Sequence, residues 1–409
     1  MSNNTARAAG VLCTLSMAAG VGLSVSAASA ATLRALAPGF QGSAVSGPII
    51  NFKGRSLRVG WAAPRLHEMQ RHLSAPFLLP LHPLYVADPG LNGVAIFNKN
   101  GLGQQVPSAF LAGPNTQING PVAITGGFDE PCTTGVAPSA TTCANYLWVA
   151  NAVTDTITVY GTGIIGQPPL YVANQAPMFV ISNPAGGCGN LGLGFQAGIV
   201  HRGPRTVPGY TSFSDGYIVE TAETANAVET YDAVASLPGA ITECQLTAET
   251  SIPYLVSPSG PSGRASLLPN IHGTIFNANS NFVTRSHFSD PAWFPLSGAD
   301  IWSLGTNNNT QGTALDGNNL WVTTAHAGAG AVWYCNIVAA PYPAGCPSTP
   351  VAQITGLQYP VFPKAQLGRL FVPDQSLGVV NEYQEASPYT LRAYFINLAT
   401  PWDVAGVGD

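Results

Sequence analysis

Short apolar runs carrying a large side chain recur along this chain, and each is followed twelve or thirteen residues later by an aromatic that closes a second short run. The pairs are Tyr85 and Phe97, Trp148 and Tyr160, Ile218 and Tyr231, Ile275 and Phe288, Trp321 and Tyr334, and Phe371 and Tyr383. Polar and small residues separate the two runs, so each unit predicts a buried strand, a polar turn and a returning strand that alternates more visibly. LYVADPGLNGVAIFN from Leu84, LWVANAVTDTITVYG from Leu147, LWVTTAHAGAGAVWYC from Leu320 and LFVPDQSLGVVNEYQ from Leu370 carry the pattern most clearly. YIVETAETANAVETYD from Tyr217 and TIFNANSNFVTRSHFS from Thr274 carry it more weakly.

A lone hairpin cannot bury both faces, so these units must stack on copies of themselves. They start 46 to 70 residues apart, which leaves room for two further strands each. The prediction is an all-β chain: a six-bladed β-propeller of four-stranded antiparallel blades. A seventh blade would need LYVANQ from Leu170, but Asn183 and Pro184 stand where its closing aromatic should be. That segment is read as an outer strand of the second blade.

GPVAITGGFD from Gly120 and GTALDGN from Gly312 supply strands that precede two of the hairpins. PWDVAGVGD from Pro401 matches the first of these at Pro401, Val404, Gly406 and Asp409, against Pro121, Ile124, Gly126 and Asp129. The 401–409 segment is therefore expected as the innermost strand of the blade built on Leu84–Asn98, closing the ring without an open edge. The competing inner strand, Phe77 to Pro83, holds two prolines and is poorer for it.

LYVADPGLNGVAIF and LWVANAVTDTITVYG resemble blades of the NHL and YVTN families of β-propellers, over roughly residues 84–409. The resemblance implies architecture more than activity, because the repeated residues hold blades together. Members of these families include lyases, lactonases, cell-surface binding proteins and repeat scaffolds.

Residues 1–30 read as a secretion signal, with Arg7, an apolar small-residue stretch and Ala28, Ser29 and Ala30 before Ala31. No membrane span is expected in the mature chain. Residues 31–74 match no repeat and form an N-terminal extension open to partial disorder, and 75–409 form the propeller. Six cysteines remain after the signal, an even number that suits disulfides in an oxidising compartment. Cys132 with Cys143 and Cys335 with Cys346 would close loops of equal spacing, leaving Cys188 and Cys244 to each other. The expected location is secreted, periplasmic or cell-surface.

Charged residues make up only 9% of the chain and the net charge is −5, which argues against a nucleic-acid partner. A monomer that meets a protein, a carbohydrate or a small molecule at the channel face fits this composition. The turns after the second strands carry Asp88, Asn151, Thr221 with Glu223, Asn277 with Asn279, Thr324 with His326, and Asp374. Such a ring could hold a divalent cation through oxygen, with His326, joined by His272, as a nitrogen ligand or general base. A structural reading competes, because Asp and Asn start turns by hydrogen-bonding the backbone. A binding module is the leading expectation, since acids and bases are scarce. A metal-assisted lyase or lactonase at the channel mouth is the alternative.

Overall fold

The computed structural model describes residues 49–52, 55–58, 83–128, 144–154, 156–164, 174–182, 196–202, 217–222, 227–232, 246–251, 258–265, 273–289, 292–293, 301–305, 308–326, 329–337, 343 and 345–406. The backbone alone is described at 49–52, 55–58, 127–128, 144–146, 162–164, 179, 181–182, 196–202, 217–222, 227–232, 246–251, 258–265, 273–275, 286–289, 292–293 and at His326.

β1 (Ile49–Phe52) and β2 (Arg55–Arg58) form a separate hairpin inside the segment read as an extension. The first repeat supplies β3 (Pro83–Asp88), β4 (Gly93–Asn98), β5 (Gly103–Gln105) and β6 (Ala109–Leu111). The second supplies β7 (Pro121–Phe128), β8 (Ala144–Asn151), β9 (Thr156–Ile164) and β10 (Phe179–Ser182). The third supplies β11 (Gln196–Arg202), β12 (Tyr217–Ala222), β13 (Ala227–Asp232) and β14 (Leu246–Ser251). The fourth has β15 (Pro258–Ala265), β16 (Gly273–Asn279), β17 (Phe282–Ser289), the short β18 (Ala292–Trp293) and β19 (Ile301–Ser303). β20 (Asn309–Asp316), β21 (Asn319–His326), β22 (Ala329–Asn336) and β23 (Ala352–Leu357) make the fifth. β24 (Lys364–Gln366), β25 (Arg369–Asp374), β26 (Val379–Gln384), β27 (Leu391–Phe395) and β28 (Asp403–Gly406) end the series.

All six predicted hairpins pair antiparallel, as β3 with β4, β8 with β9, β12 with β13, β16 with β17, β21 with β22 and β25 with β26. β28 pairs antiparallel with β3, setting Asp403 opposite Ala87 and Ala405 opposite Tyr85, so the C-terminal segment does complete the first sheet. The leading strands lie side by side in a closed cycle: β28 by β7, β7 by β11, β11 by β15, β15 by β20, β20 by β24, and β24 by β28. The chain is an all-β β-propeller. Against the expected six blades, side-chain packing is described for five, and the β11–β14 sheet is described by backbone pairing alone. The outer strand of the second sheet is β10, whereas Leu170 to Ala173, expected in that role, lie outside the described residues.

The aromatic spacing has a geometric meaning. Leu84 stands opposite Phe97 and Tyr85 opposite Ile96, so an offset of twelve puts Tyr85 and Phe97 on opposite faces of their sheet. Phe97 joins Leu84, Phe371 and Phe395 in the core against the last sheet, with Phe97 and Phe395 edge to face at 5.2 Å. Tyr85 joins Leu147, Val149 and Tyr160 in the core against the second sheet. An offset of thirteen instead sets Trp321 directly opposite Tyr334, with ring centroids 4.7 Å apart, in the core between the fifth and last sheets. Glycine permits close approach at Gly312, where an added Cβ would lie 2.8 Å from the Phe362 Cα on the segment entering β24.

The seam between the last and first sheets is fastened twice. β28 follows the last sheet in sequence and pairs in the first, while β5 follows β4 of the first sheet and pairs parallel to β27 of the last. Each sheet thus holds a strand that sequence order would assign to its neighbour.

Candidate functional site: turn face and seam

Asp88 ends β3 and is fully buried. Its Oδ1 accepts the Leu91 N–H at 3.1 Å, the Thr400 N–H at 3.0 Å and the Thr400 hydroxyl at 3.3 Å, and its Oδ2 accepts the Ala399 N–H at 2.7 Å. Asp374 ends β25 in the same manner, taking the N–H groups of Gln358 at 2.7 Å, Tyr359 at 3.0 Å and Leu377 at 3.4 Å. Asn151 ends β8; its Oδ1 accepts the Asn119 N–H at 3.0 Å, and its Nδ2 donates to the Val149 carbonyl and the Thr158 hydroxyl, both at 3.1 Å. In each sheet the captured segment is the one that enters the inner strand: 399–400 before β28, 358–359 before β24, and Asn119 before β7. These turn residues are staples of the fold, and they bind the incoming segment as well as the local turn.

Burial pushes the Asp88 carboxyl above the usual carboxylate range, against the pull of the donors from Thr400, Ala399 and Leu91. Converging N–H groups suit a negative charge and compete with any cation for the same oxygens. Asp88 and Asp374 therefore do not fit as ligands of a divalent cation. Thr324 is also occupied, accepting the Trp333 indole N–H at 2.7 Å. Asn279 is fully buried, and so is Asn277, which stands opposite Thr284. His326 ends β21 opposite Ala329, and Glu223 and His272 lie outside the described residues. Among the described residues no group of three or more His, Cys, Asp or Glu side chains could hold a metal ion.

Cys335 and Cys346 form a disulfide with Cα atoms 4.9 Å apart, in the core between the fourth and fifth sheets. Cys132, Cys143, Cys188 and Cys244 lie outside the described residues.

Three groups of titratable residues went unnoticed in the sequence. Asp403 on β28 accepts the Ile124 N–H of β7 at 2.9 Å and its neighbour Val404 N–H at 2.8 Å, bridging two inner strands. Burial raises its carboxyl to about 7, with those two donors and Lys364 pulling the other way. Glu385, after β26, is raised to about 8 by burial first and then by the charge of and a hydrogen bond with Asp316, a carboxyl pair between the fifth and last sheets. Glu382 on β26 lies at the seam, near Arg369, Arg392 and Lys99. A faint signal existed for Asp403: its place in the PWDVAG run corresponds to Ala123 in the matching strand, where an acid is out of pattern. Glu382 lies within the returning strand and Glu385 just after it, and nothing local marks their partners.

No family model matches the chain, and no curated protein matches it. Solved structures do. A structure from a nidogen–laminin complex aligns at 14% identity and a TM-score of 0.45, over 80% of this chain and 97% of that one. The periplasmic gluconolactonase of Pseudomonas aeruginosa aligns at 11% identity and a TM-score of 0.38, over 80% of this chain and 99% of that one. The propeller assignment itself rests on the strand pairing above.

Proposed function

We propose that the chain is an exported, six-bladed β-propeller of NHL/YVTN type, with the β11–β14 sheet as the sixth blade, that acts as a binding module. The observation behind this reading is the commitment of Asp88, Asn151 and Asp374 to backbone groups of their own sheets, which leaves the turn face to present shape and backbone polarity rather than a metal centre. A protein, a carbohydrate or a small molecule is the expected partner there. The Cys335–Cys346 disulfide supports an oxidising destination after removal of residues 1–30, in a periplasm, at the cell surface or in the medium.

Metal analysis of the purified protein, with thermal unfolding before and after chelation, tests the reading. The expected result is no stoichiometric metal and unchanged unfolding. A bound divalent metal whose removal lowers the melting temperature would favour a metal-assisted lyase or lactonase, with His326 and His272 as the residues to substitute first.

A further inference from the structure

β25 runs from a tight turn at Leu367 and Gly368 to Asp374, so that turn lies at the end of the last sheet remote from the turn face. Leu367 and Gly368 both take positive φ, 52° and 73°, between the paired residues Gln366 and Arg369. The N–H of the second residue in such a turn has no partner in its own ladder. Gly368 spends both of its backbone groups outside its hairpin. Its N–H donates to Asp316 Oδ2 at 3.1 Å, reaching the end of β20 in the fifth sheet, and its carbonyl accepts the Glu385 N–H at 3.0 Å. Asp316, Gly368 and Glu385 thus make one contact that ties the fifth sheet to the last.

The two carboxyls in that contact also hydrogen-bond each other. Two ionised carboxylates both accept and neither donates, so this bond needs a proton on the pair. Glu385 Oε1 is buried, and no N–H or hydroxyl donor reaches it among the described residues. Burial first, and then the charge of Asp316 and the hydrogen bond to it, raise Glu385 to about 8. The cations of the neighbouring elements are turned elsewhere. Arg369 donates to the Lys99 carbonyl and Asn100 and pairs with Glu382, while Lys364 on β24 acts on Asp403 and Lys99. The phenols packed nearby hold their protons beyond this range: burial, then Asp374, push Tyr383 up to about 12, and burial, then Tyr334, raise Tyr389. Tyr334 itself donates its hydroxyl to Asn319 Oδ1 at 2.9 Å.

We propose that Asp316, Gly368 and Glu385 form a proton-dependent latch between the fifth and last sheets, closed while the two carboxyls share a proton and open once that proton leaves. In the closed form neutral Glu385 donates its carboxyl proton to Asp316, which stays in place to accept the Gly368 N–H. Loss of the proton leaves two like charges in contact, Glu385 turns to solvent, and the Gly368 amide loses its partner. Glu385 ordinarily ionises at 4.5, so the latch is complete below that value and is lost as pH rises through about 8. The opening is local, because Asp374 and β28 hold the last and first sheets without it. It is independent of what the turn face binds.

Amide hydrogen exchange of the full chain at about pH 6 and about pH 9, each expressed as protection relative to the unfolded rate at that pH, tests this. Protection at Gly368 should fall about tenfold or more between the two in wild type, while Gln358 and Tyr359, held by Asp374, keep theirs. In Glu385→Gln the amide donates to Asp316 without a titrating proton, and Gly368 should stay protected at both pH values. Carbon-13 titration of the Glu385 carboxyl should give a midpoint of about 8 in wild type and a lower one in Asp316→Asn. Equal protection of Gly368 at the two pH values in wild type would overturn the proposal, and so would a Glu385 midpoint near 4.5. Protection lost at Gln358 and Tyr359 together with Gly368 would overturn it as well, since that marks general unfolding rather than a latch.

Discussion

The turn face and the seam each bury acidic side chains, and they treat them in opposite ways. At the turns, Asp88 and Asp374 are surrounded by backbone N–H groups whose geometry the fold fixes. At the seam, Glu382 meets no hydrogen-bond donor within reach among the described residues and is held by cations at 3.6–3.7 Å. The first arrangement consumes the carboxylate in building the sheet. The second holds the carboxylate by long ion pairs to Arg369 and Arg392. In this propeller the turn acids Asp88 and Asp374 are structural.

The largest expected effect comes from removing the closure. Truncation after Thr400 deletes β28 with Trp402, Val404 and Ala405, all buried, and exposes the edge of β3. A loss of about 5 kcal/mol or more in unfolding free energy is expected, enough to unfold a typical domain. Denaturant titration checks it, and an unchanged midpoint would mean that the seam does not depend on β28.

Next in size is the staple. Asp88→Ala strands the N–H groups of Ala399 and Thr400, with an expected cost of about 3 kcal/mol by denaturant unfolding. Asp374→Ala should cost a similar amount at the last sheet, and a neutral result at either position would dissolve the contrast with the seam. The disulfide follows: Cys335→Ser with Cys346→Ser frees a loop with a sequence separation of 11 and should lower stability by about 2–3 kcal/mol.

The smallest effect is on pH dependence. Asp403 and Glu385 are held at about 7 and about 8, above the ordinary values of 3.8 and 4.5. The folded chain therefore keeps protons that the unfolded chain releases, and these two groups make stability fall as pH rises from about 4 to about 8. Asp403→Asn should flatten the part of that fall below about 7 and leave the part assigned to Glu385. Melting temperatures across this range check the sign, and a rise over the same window would contradict it.

How much of this was legible in the sequence follows from distance along the chain. The hairpins were readable because their pattern is written within sixteen residues, and β28 was readable because it copies β7. The offset of twelve or thirteen was visible, but its consequence was not: a single residue of register decides whether the two aromatics share a core or enter two. The turn acids were noticed and left open between two roles, since the amides that settle their role at Asp88 lie 311 and 312 residues away. Arg369 and Asn100 lie 269 residues apart, and no local pattern announces such a meeting.

Amide hydrogen exchange in wild type and Asp88→Ala gives the most direct test that turn acids hold the incoming strands. The account predicts that Ala399 and Thr400 exchange much faster in the variant, while Gln358 and Tyr359, held by Asp374, keep their protection. Unchanged protection at Ala399 and Thr400 would contradict it, and would return Asp88 to the turn face as a residue available to a ligand.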